Sequence, residues 1–412
     1  MFAIPLAWLQ LKREKIRLLV ALAGIGFAVI LMFLQLGFQD ALFDSAITFH
    51  RNIEGDIFLV SPQSTSLIAM KSFPERRLYQ SLGFSGVKSI SPIYIGFGIW
   101  KNPFWEGPPT SQTRSILVIG TVPGDNILSL PGIDERQAQL RLADVVLFDS
   151  ASRAEFGPVP AKFEALQAGD SPIRTEVESR RIEVGGIFTM GASFGADGNL
   201  ITSDLNFRRI FASRQKDLID IGVIRLEPGA ELLTTLERFK QNLPGELRID
   251  PKKTPEQAKE DFVVGDVRVL SKAAFVAVEQ NYWKESTAIG FIFTLGAAIG
   301  FVVGTVIVYQ ILYTDVADHL AEYATLKAMG YRNRYLLSVV FQEAIILSIM
   351  GFIPGYILCI GLYTLTRNAT ALPIAMTLAR SITVLCLTVL MCSISGAIAV
   401  RKVQQADPAD IF

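Results

Sequence analysis

The sequence predicts an α-helical membrane protein with four transmembrane helices, divided one and then three, and a large mixed α+β domain inserted between the first and the second. Three observations carry this expectation. Four apolar segments, residues 18–38, 286–313, 336–365 and 382–400, come near or above the ~20 residues that a helix needs to cross a ~30 Å hydrocarbon layer. A helix is the default there because it satisfies its own backbone polar groups where water is absent. The stretch between the first two segments, 39–285, is polar, punctuated by Gly and Pro, and carries short β-rich runs. Half of the 412 residues are hydrophobic and the formal net charge is zero, so there is no basic field to attract nucleic acid.

Charge orients the spans. Lys12, Arg13, Lys15 and Arg17 precede the first, Lys327, Arg332 and Arg334 lie in the 314–335 connection, and Arg401 and Lys402 open the tail 401–412. The short loop 366–381 is poorer, with Arg367 and Arg380. Lys and Arg in short flanks mark the cytoplasmic side, so both termini and the 314–335 connection are expected inside and the 39–285 domain outside. The first span resembles a signal peptide, but its apolar run is longer than the usual ~7–15 residues and no small-residue cleavage site follows, so it reads as an uncleaved anchor.

Residues 1–17 read as an interfacial amphipathic helix, with Trp8 at the inner interface and Tyr282 and Trp283 at the outer one. In the inserted domain strands are expected at Asp56–Val60, Ser115–Val122, Asp144–Phe148, Arg181–Phe188 and Ile219–Leu226. Glu231–Asn242 reads as an amphipathic helix, with Leu232, Leu233, Leu236 and Phe239 at helical spacing. The length of the domain suggests two subdomains divided near 130 and 230. No breaker follows span one until Gly55, and none separates Ala273–Trp283 from span two, so both spans are expected to continue as stalks into the domain.

Several chemistries are excluded or disfavoured. No Gly-x-x-x-x-Gly-Lys-Ser/Thr loop occurs, so the chain does not bind ATP by that route. The two histidines, His50 and His319, have no His or Cys at ligand spacing, which disfavours a metal site and a Ser-His-Asp or Cys-His device. His50 reads as a surface polar residue. The three cysteines, Cys359, Cys386 and Cys392, fall in the last two spans and read as small packing residues. Carboxylates of the inserted domain read as solvated surface. The chain is therefore expected to be non-catalytic, with no cofactor of its own.

Span three carries one acid, Glu343, beside Gln342, with a coupling role and simple snorkelling both open. Gly296, Gly300 and Gly304 in span two, and Gly351 and Gly355 around Pro354 in span three, make small-residue stripes that let backbones approach in lipid. They serve either packing within one chain or a dimer seam. The 315–334 connection reads as a short helix ended by Gly330, with Ala317, Leu320, Ala321, Ala324 and Ala328 on one face and Glu322, Leu326 and Met329 on another. Phe97, Trp100, Phe104 and Trp105 in the inserted domain suit core or loop packing, or contact with an acyl chain or a partner.

Glu322 followed by Thr325-Leu326-Lys327-Ala328-Met329-Gly330 resembles the E-x-x-x-L-(K/R)-A-(I/L/M)-G stretch of the FtsX/MacB-type ABC transporter permeases. Glu343, Gly351 and Gly355 are similar to that family's third span, Gly24 and Gly26 to its first, and Asp407-Pro408-Ala409-Asp410 to its tail. The family's Arg-Glu is Ala321-Glu322 here, and Tyr331 replaces a small residue. The opening Pro5–Leu11 and the Gln310–Asp315 junction resemble the DevC-type permeases of cyanobacterial DevBCA exporters.

The resemblance implies a homodimeric inner-membrane permease with its large domain in the periplasm. It also implies a separate DevA-like ABC ATPase that holds ATP and Mg, a DevB-like periplasmic membrane-fusion adaptor and a TolC-like outer-membrane duct. ATP-driven closure would then move the spans as levers, a mechanotransmission mode, to export a glycolipid or other hydrophobic cargo. Glu322, Leu326, Lys327, Ala328, Met329 and Gly330 would meet the ATPase. The alternative is an FtsX-like regulator that passes ATPase motion to a periplasmic cell-wall hydrolase.

Overall fold

Four long helices carry the apolar segments: span one is Lys15–Asn52, span two Ala288–Asp318, span three Asn333–Thr370 and span four Leu378–Gln405. The computed structural model describes residues 15–167, 169–243, 265–319, 325, 329, 333–370 and 372–405. Residues 1–14 of the expected helix 1–17 and half of the 314–335 connection thus lie outside the described residues. Each of the four helices contains a window long and apolar enough to cross a membrane. They outrun the apolar segments because polar residues such as Asp44 and Thr48 continue the helix at no cost where water is available. The chain divides into two compact units, a membrane unit of 1–41, 288–369 and 373–412, and an inserted unit of Leu42–Thr287 with Thr370–Leu372.

In the membrane unit, span one is the central element. Ala21, Ile25, Ala28, Val29, Met32 and Phe33 are all fully covered. Lipid offers no hydrophobic drive for helices to associate, so close backbone packing must hold them. The glycine stripes supply it on two sides of span one. A Cβ added at Gly296 would fall 2.6 Å from the Gln35 side chain, at Gly300 3.4 Å from Leu31, and at Gly304 2.7 Å from Ala28. On span three, a Cβ at Gly351 would meet Ile25 at 2.5 Å, and one at Gly355 would meet Val29 at 2.8 Å and the Gly26 carbonyl oxygen at 3.0 Å. Both stripes face neighbouring helices within the chain.

Polar bonds finish the packing. The Tyr363 hydroxyl of span three donates to the Phe33 carbonyl, in space that Gly37 leaves by lacking a side chain. Arg380 at the start of span four is almost covered, reaches Asp40 of span one at 2.6 Å, donates to the Ala375 carbonyl at 2.7 Å and lies over the Tyr363 ring. Ser395 donates to the Thr305 carbonyl of span two at 2.7 Å.

The inserted unit is built on eleven strands. In chain order they are β1 Ile57–Val60, β2 Phe73–Pro74, β3 Val87–Lys101, β4 Thr113–Thr121, β5 Val145–Asp149, β6 Arg174–Val177, β7 Arg180–Phe188, β8 Asn199–Ser203, β9 Leu218–Ile219, β10 Ile221–Leu226 and β11 Arg268–Ser271. Nine form one sheet in the order β11-β1-β10-β3-β4-β8-β5-β7-β6, and Trp100 of β3 also pairs with Val177 of β6, which closes the last six strands into a ring. β3 is the hinge of this topology. Its first half pairs with β10, from Val87 opposite Leu226 to Ile93 opposite Ile221, and its second half pairs with β4.

Both faces of the sheet are covered, which explains the nearly uninterrupted apolar strands. Ile57 and Leu59 of β1 enter one core and Phe58 the other, and Ile116 and Val118 of β4 are separated from Leu117 and Ile119 in the same way. Gly96 and Gly120 make room for the Phe207 ring of the helix Asp204–Ile210, since a Cβ on either would come within 3.2 Å of it. The turn between β6 and β7 has Glu178 and Ser179 at φ 48° and 63°, a two-residue hairpin turn formed without glycine.

Four observed strands and one helix follow the expected ranges closely, and β10 occupies the later part of Ile219–Leu226. The expected ranges leave out β2, β6, β8, β11 and the longest strand, β3, whose Pro92, Gly96 and Gly98 read as breakers. The expected division near 130 and 230 is absent: β10 pairs with both β1 and β3, so one sheet runs through both places. The stalks differ from each other. Span one runs unbroken to Asn52. Before span two, the helix Lys272–Asn281 passes into a π-helical turn, Tyr282–Ser286, and Thr287 is extended at φ −117°, ψ 153°. The Thr287 hydroxyl bonds the Trp283 carbonyl at 2.6 Å, a local bond of the kind that competes with helix continuation. The expected second stalk is therefore broken just before the span.

The clasp around span one is directly testable. Gly355→Leu forces a side chain against the Gly26 backbone and should cost about 1–3 kcal/mol, the range for overpacking. Gly361→Leu, where an added Cβ meets nothing within 4 Å, should leave the thermal unfolding midpoint in detergent unchanged. Equal losses at the two positions would refute this packing.

Candidate functional site

The segment nominated for partner contact falls mostly outside the described residues: Glu322, Leu326, Lys327, Ala328 and Gly330 are not placed. Thr325 is helical, Met329 is 64% exposed, and the Met329 N–H donates to the Thr325 carbonyl at 3.0 Å, the i to i+4 bond of a helical turn.

Where spans one, two and three meet beside this connection, charged side chains converge. Arg17 of span one reaches Asp315 of span two at 3.5 Å and also pairs with Asp318. His319 approaches the Asp315 carboxylate at 3.6 Å through Nδ1, which also lies 3.0 Å from the Asp315 carbonyl oxygen. Glu343 of span three lies against Asp315 and is 1% exposed, with Oε2 buried and lacking a hydrogen-bond partner. Two buried carboxyls thus crowd one guanidinium. Sequence reasoning found Glu343 but not its neighbours, because Arg17 read as topology and Asp315 as a junction residue. The arrangement fastens three spans together at the end from which the connection leaves.

A second polar cluster sits inside the inserted unit. Glu279 of the helix Lys272–Asn281 is 2% exposed. Its carboxylate accepts the Trp283 indole N–H at 2.7 Å and the Leu67 backbone N–H at 2.6 Å, and His50 Nε2 lies 3.5 Å away. Burial pushes the Glu279 carboxyl up to about 7 and outweighs those two hydrogen bonds, which pull it down. The surface reading of His50 is corrected here: the imidazole is 2% exposed and packs on Phe275, with ring centroids 4.5 Å apart. The surface reading of the carboxylates also fails at Asp149, which is fully buried and accepts from the backbones of Ala151, Met190 and Gly191 and from the Asn199 amide.

The aromatic candidates separate. Trp100 is fully buried and donates to the Phe156 carbonyl, and Phe104 packs against the same core. Trp105 folds onto its own loop by bonding the Pro108 carbonyl, and Phe97 is 37% exposed. Trp283 is enclosed by the inserted unit rather than laid bare for an interface. Cys359 and Cys392 are buried and Cys386 exposed, all three free. Among the described residues no group of three His, Cys, Asp or Glu is placed to hold a metal ion.

Four apolar spans split one and three around a large α/β domain, with charged residues drawn together beside the connection of spans two and three, define a four-span membrane protein with one large inserted domain. Residues 283–408 match the FtsX-like permease C-terminal family. Two uncharacterized ABC transporter permeases of Mycobacterium tuberculosis, from strains CDC 1551 / Oshkosh and ATCC 25618 / H37Rv, are each 21% identical over 358 residues, covering 87% of this chain and 84% of theirs. The chain thus carries an FtsX-like permease domain and is homologous to ABC transporter permeases. Among solved structures, the extracellular domain of the ABC-type transporter YknZ from Gram-positive bacteria is 14% identical at a TM-score of 0.32, covering 53% of this chain and all of that one. The periplasmic region of MacB from Actinobacillus actinomycetemcomitans is 12% identical at a TM-score of 0.32, covering 56% of this chain and 95% of that one.

Two outcomes follow from the clusters. Arg17→Leu leaves Asp315 and Glu343 without their cation and should cost about 2 kcal/mol, less than a fully buried pair because Arg17 is 28% exposed. Glu343→Gln relieves the crowding and should cost less. Thermal unfolding of the two variants in detergent checks the order, and the reverse order would overturn it. For Glu279, the folded carboxyl binds its proton more tightly than the unfolded one, so its contribution is fully present below about pH 4.5 and lost as pH rises to about 7. Stability of the wild type should fall by roughly 3 kcal/mol from this group across that window, and Glu279→Gln should flatten the dependence. Chemical denaturation monitored by Trp fluorescence at stepped pH reads it, and an unchanged slope in the variant would exclude Glu279 as the source.

Proposed function

We propose that this chain is the permease of a mechanotransmission ABC exporter, working as a homodimer in the inner membrane. In this reading both termini and the 314–335 connection face the cytoplasm, and the inserted domain faces the periplasm. A separate ATPase subunit binds ATP and Mg and engages Glu322, Leu326, Lys327, Ala328, Met329 and Gly330. The inserted domain meets a periplasmic adaptor that leads to a TolC-like duct, and the cargo is a glycolipid or another lipid-like molecule.

The observation that carries the reading is span one. It is clasped by glycine faces of spans two and three, tied by Arg17 to the charged cluster at one end, and continues without a break to Asn52 in the inserted unit. A helix built this way suits passing displacement from the connection of spans two and three to the inserted domain. It suits lining a hydrophilic pore poorly, because the side chains that meet the glycines are apolar (Ala, Leu, Ile, Val and Met) with Gln35 the one polar exception among them.

The test is an affinity pull-down of the tagged chain in mild detergent with mass spectrometry. A P-loop ATPase with a periplasmic adaptor supports the exporter, and an ATPase with a cell-wall hydrolase supports an FtsX-like regulator instead. Leu326→Asp should lower stimulation of that ATPase in nanodiscs by on the order of tenfold, with insertion and thermal midpoint intact. Full stimulation in this variant would remove the 322–330 segment from the coupling surface.

A further inference from the structure

One concavity of the inserted unit has a wall richer in cations than in carboxylates. A cavity of about 420 Å³ opens where the end of β3 meets the β6–β7 hairpin, with Lys101, Pro103, Arg174, Thr175, Glu176 and Arg181 in its lining. Its size falls within the ~300–1,000 Å³ of small-molecule sites. Lys101, Arg174 and Arg181 bring three positive charges to it and Glu176 one negative charge.

The strands fix where these groups stand. Trp100, the neighbour of Lys101, pairs with Val177 at the point where the ring of strands closes, and the Thr175 hydroxyl donates to the Lys101 carbonyl. Lys101 is therefore held against β6 by main chain and side chain alike. Arg174 and Glu176 are two residues apart on β6 and so share one of its faces, and Arg181 of β7 stands directly opposite Glu176. Glu183, opposite Arg174, accepts from that guanidinium through Nε at 3.4 Å and lies outside the lining.

The charges at this wall are paired loosely. Glu176 Oε2 lies 3.3 Å from Lys101 Nζ, and Glu176 Oε1 lies 4.0 Å from Arg181 Nε. Charge-assisted N–H···O bonds of full strength are about 2.7–2.9 Å long. Arg77 on Asp266 at 2.8 Å and Arg180 on Asp144 at 2.7 Å attain that in the same unit. Guanidinium groups of this unit can thus reach a carboxylate closely, yet the cations at the cavity stand off from theirs. One carboxylate gathers Lys101 and Arg181 at a single wall without neutralising both. Each guanidinium carries five N–H donors and the ammonium three, so most of their donor capacity is available to an anion in the hollow.

We propose that this cavity binds a phosphate monoester, with Lys101, Arg174 and Arg181 holding the phosphoryl group and the space beside Pro103 taking its organic part. A monoester carries about −1.5 to −2 charges at pH 7. That matches three cations against one carboxylate better than a singly charged carboxylate or phosphodiester does. Guanidinium forks also meet phosphate oxygens two at a time. A soluble metabolite and a lipid headgroup can both present this chemistry. The inference rests on the inserted unit alone and stands or falls independently of the exporter reading.

Isothermal titration of the full chain in a non-ionic detergent tests it, with phenyl phosphate, benzoate and dihexanoyl phosphatidic acid as probes. Phenyl phosphate should bind saturably, and benzoate more weakly. Arg174→Gln and Arg181→Gln should each weaken phenyl phosphate binding about twofold to fivefold, the scale of exposed ion pairs. Glu176→Gln should strengthen it by a similar factor, because the competing acid is gone. The Arg174 and Arg181 side chains are 74% and 93% exposed, so neither change threatens folding. Arg238→Gln removes an exposed cation of the helix Leu232–Asn242, outside the lining, and should leave binding unchanged. Phosphatidic acid bound more tightly than phenyl phosphate would assign the ester to a lipid headgroup, and equal or weaker binding to a soluble molecule. No saturable binding of phenyl phosphate, benzoate bound as tightly, or weaker binding in Glu176→Gln would overturn the proposal.

Discussion

Close backbone approach around span one is the constraint on which the membrane unit depends. In water, burying apolar surface would pull four such helices together, but against lipid that drive vanishes and dispersion between well-fitted surfaces must replace it. Fit requires small residues where helices cross. Gly296, Gly300 and Gly304 meet one side of span one and Gly351 and Gly355 another, while Gly26 returns the contact from span one itself. Reciprocity between Gly26 and Gly355 brings main chain against main chain, and no side-chain adjustment can relieve a Cβ placed there. Hydrogen bonds then set register, with the Tyr363 hydroxyl on the Phe33 carbonyl and Ser395 on the Thr305 carbonyl. Apolar packing alone would let helices slide by a turn, and these directional bonds oppose it.

The two junctions with the inserted unit are physically unequal. Span one crosses as a continuous helix, its polar turns held by ordinary helical bonds and by side chains such as Ser45 and Thr48 that bond back to their own turn. At span two the helix is interrupted by a π-helical turn and an extended Thr287, and the broken end is stabilised by burial of Trp283 and its bond to Glu279. π-helical turns are uncommon and concentrate at functional positions. One connection is therefore helical throughout, and the other permits the backbone a change of direction at a defined residue.

The spans were legible because a helix in lipid needs a long apolar run, a signal that single residues cannot mimic. The glycine stripes were legible as stripes, but their use was not, since facing Gln35 and Ala28 across a helix pair is a tertiary fact. β3 was hidden for a related reason: Gly96 and Gly98 are breakers to a reader of local propensity, yet they exist to let Phe207 and Phe211 approach the sheet. The broken junction at Thr287 contains neither Gly nor Pro, so no breaker announced it. His50 and Glu279 each read as solvated because sequence gives no partner. Only the fold places them 3.5 Å apart in a covered site.

The charged residues that remain inside the membrane unit sit near its two ends, and both groups involve span one. Arg17 pairs with span two at one end, and Asp40 with Arg380 of span four at the other. Neither pair is placed where hydrocarbon would make it most expensive, and each joins span one to a different neighbour. An ion pair is strong over short distances and indifferent to small rotations, whereas a glycine contact is weak per atom and intolerant of them. The glycine faces thus fix how span one is rotated against its neighbours, and the terminal pairs fix how far it slides along them. A helix constrained in both ways transmits a push along its axis and resists twisting, which is the mechanical property the proposed coupling requires of it.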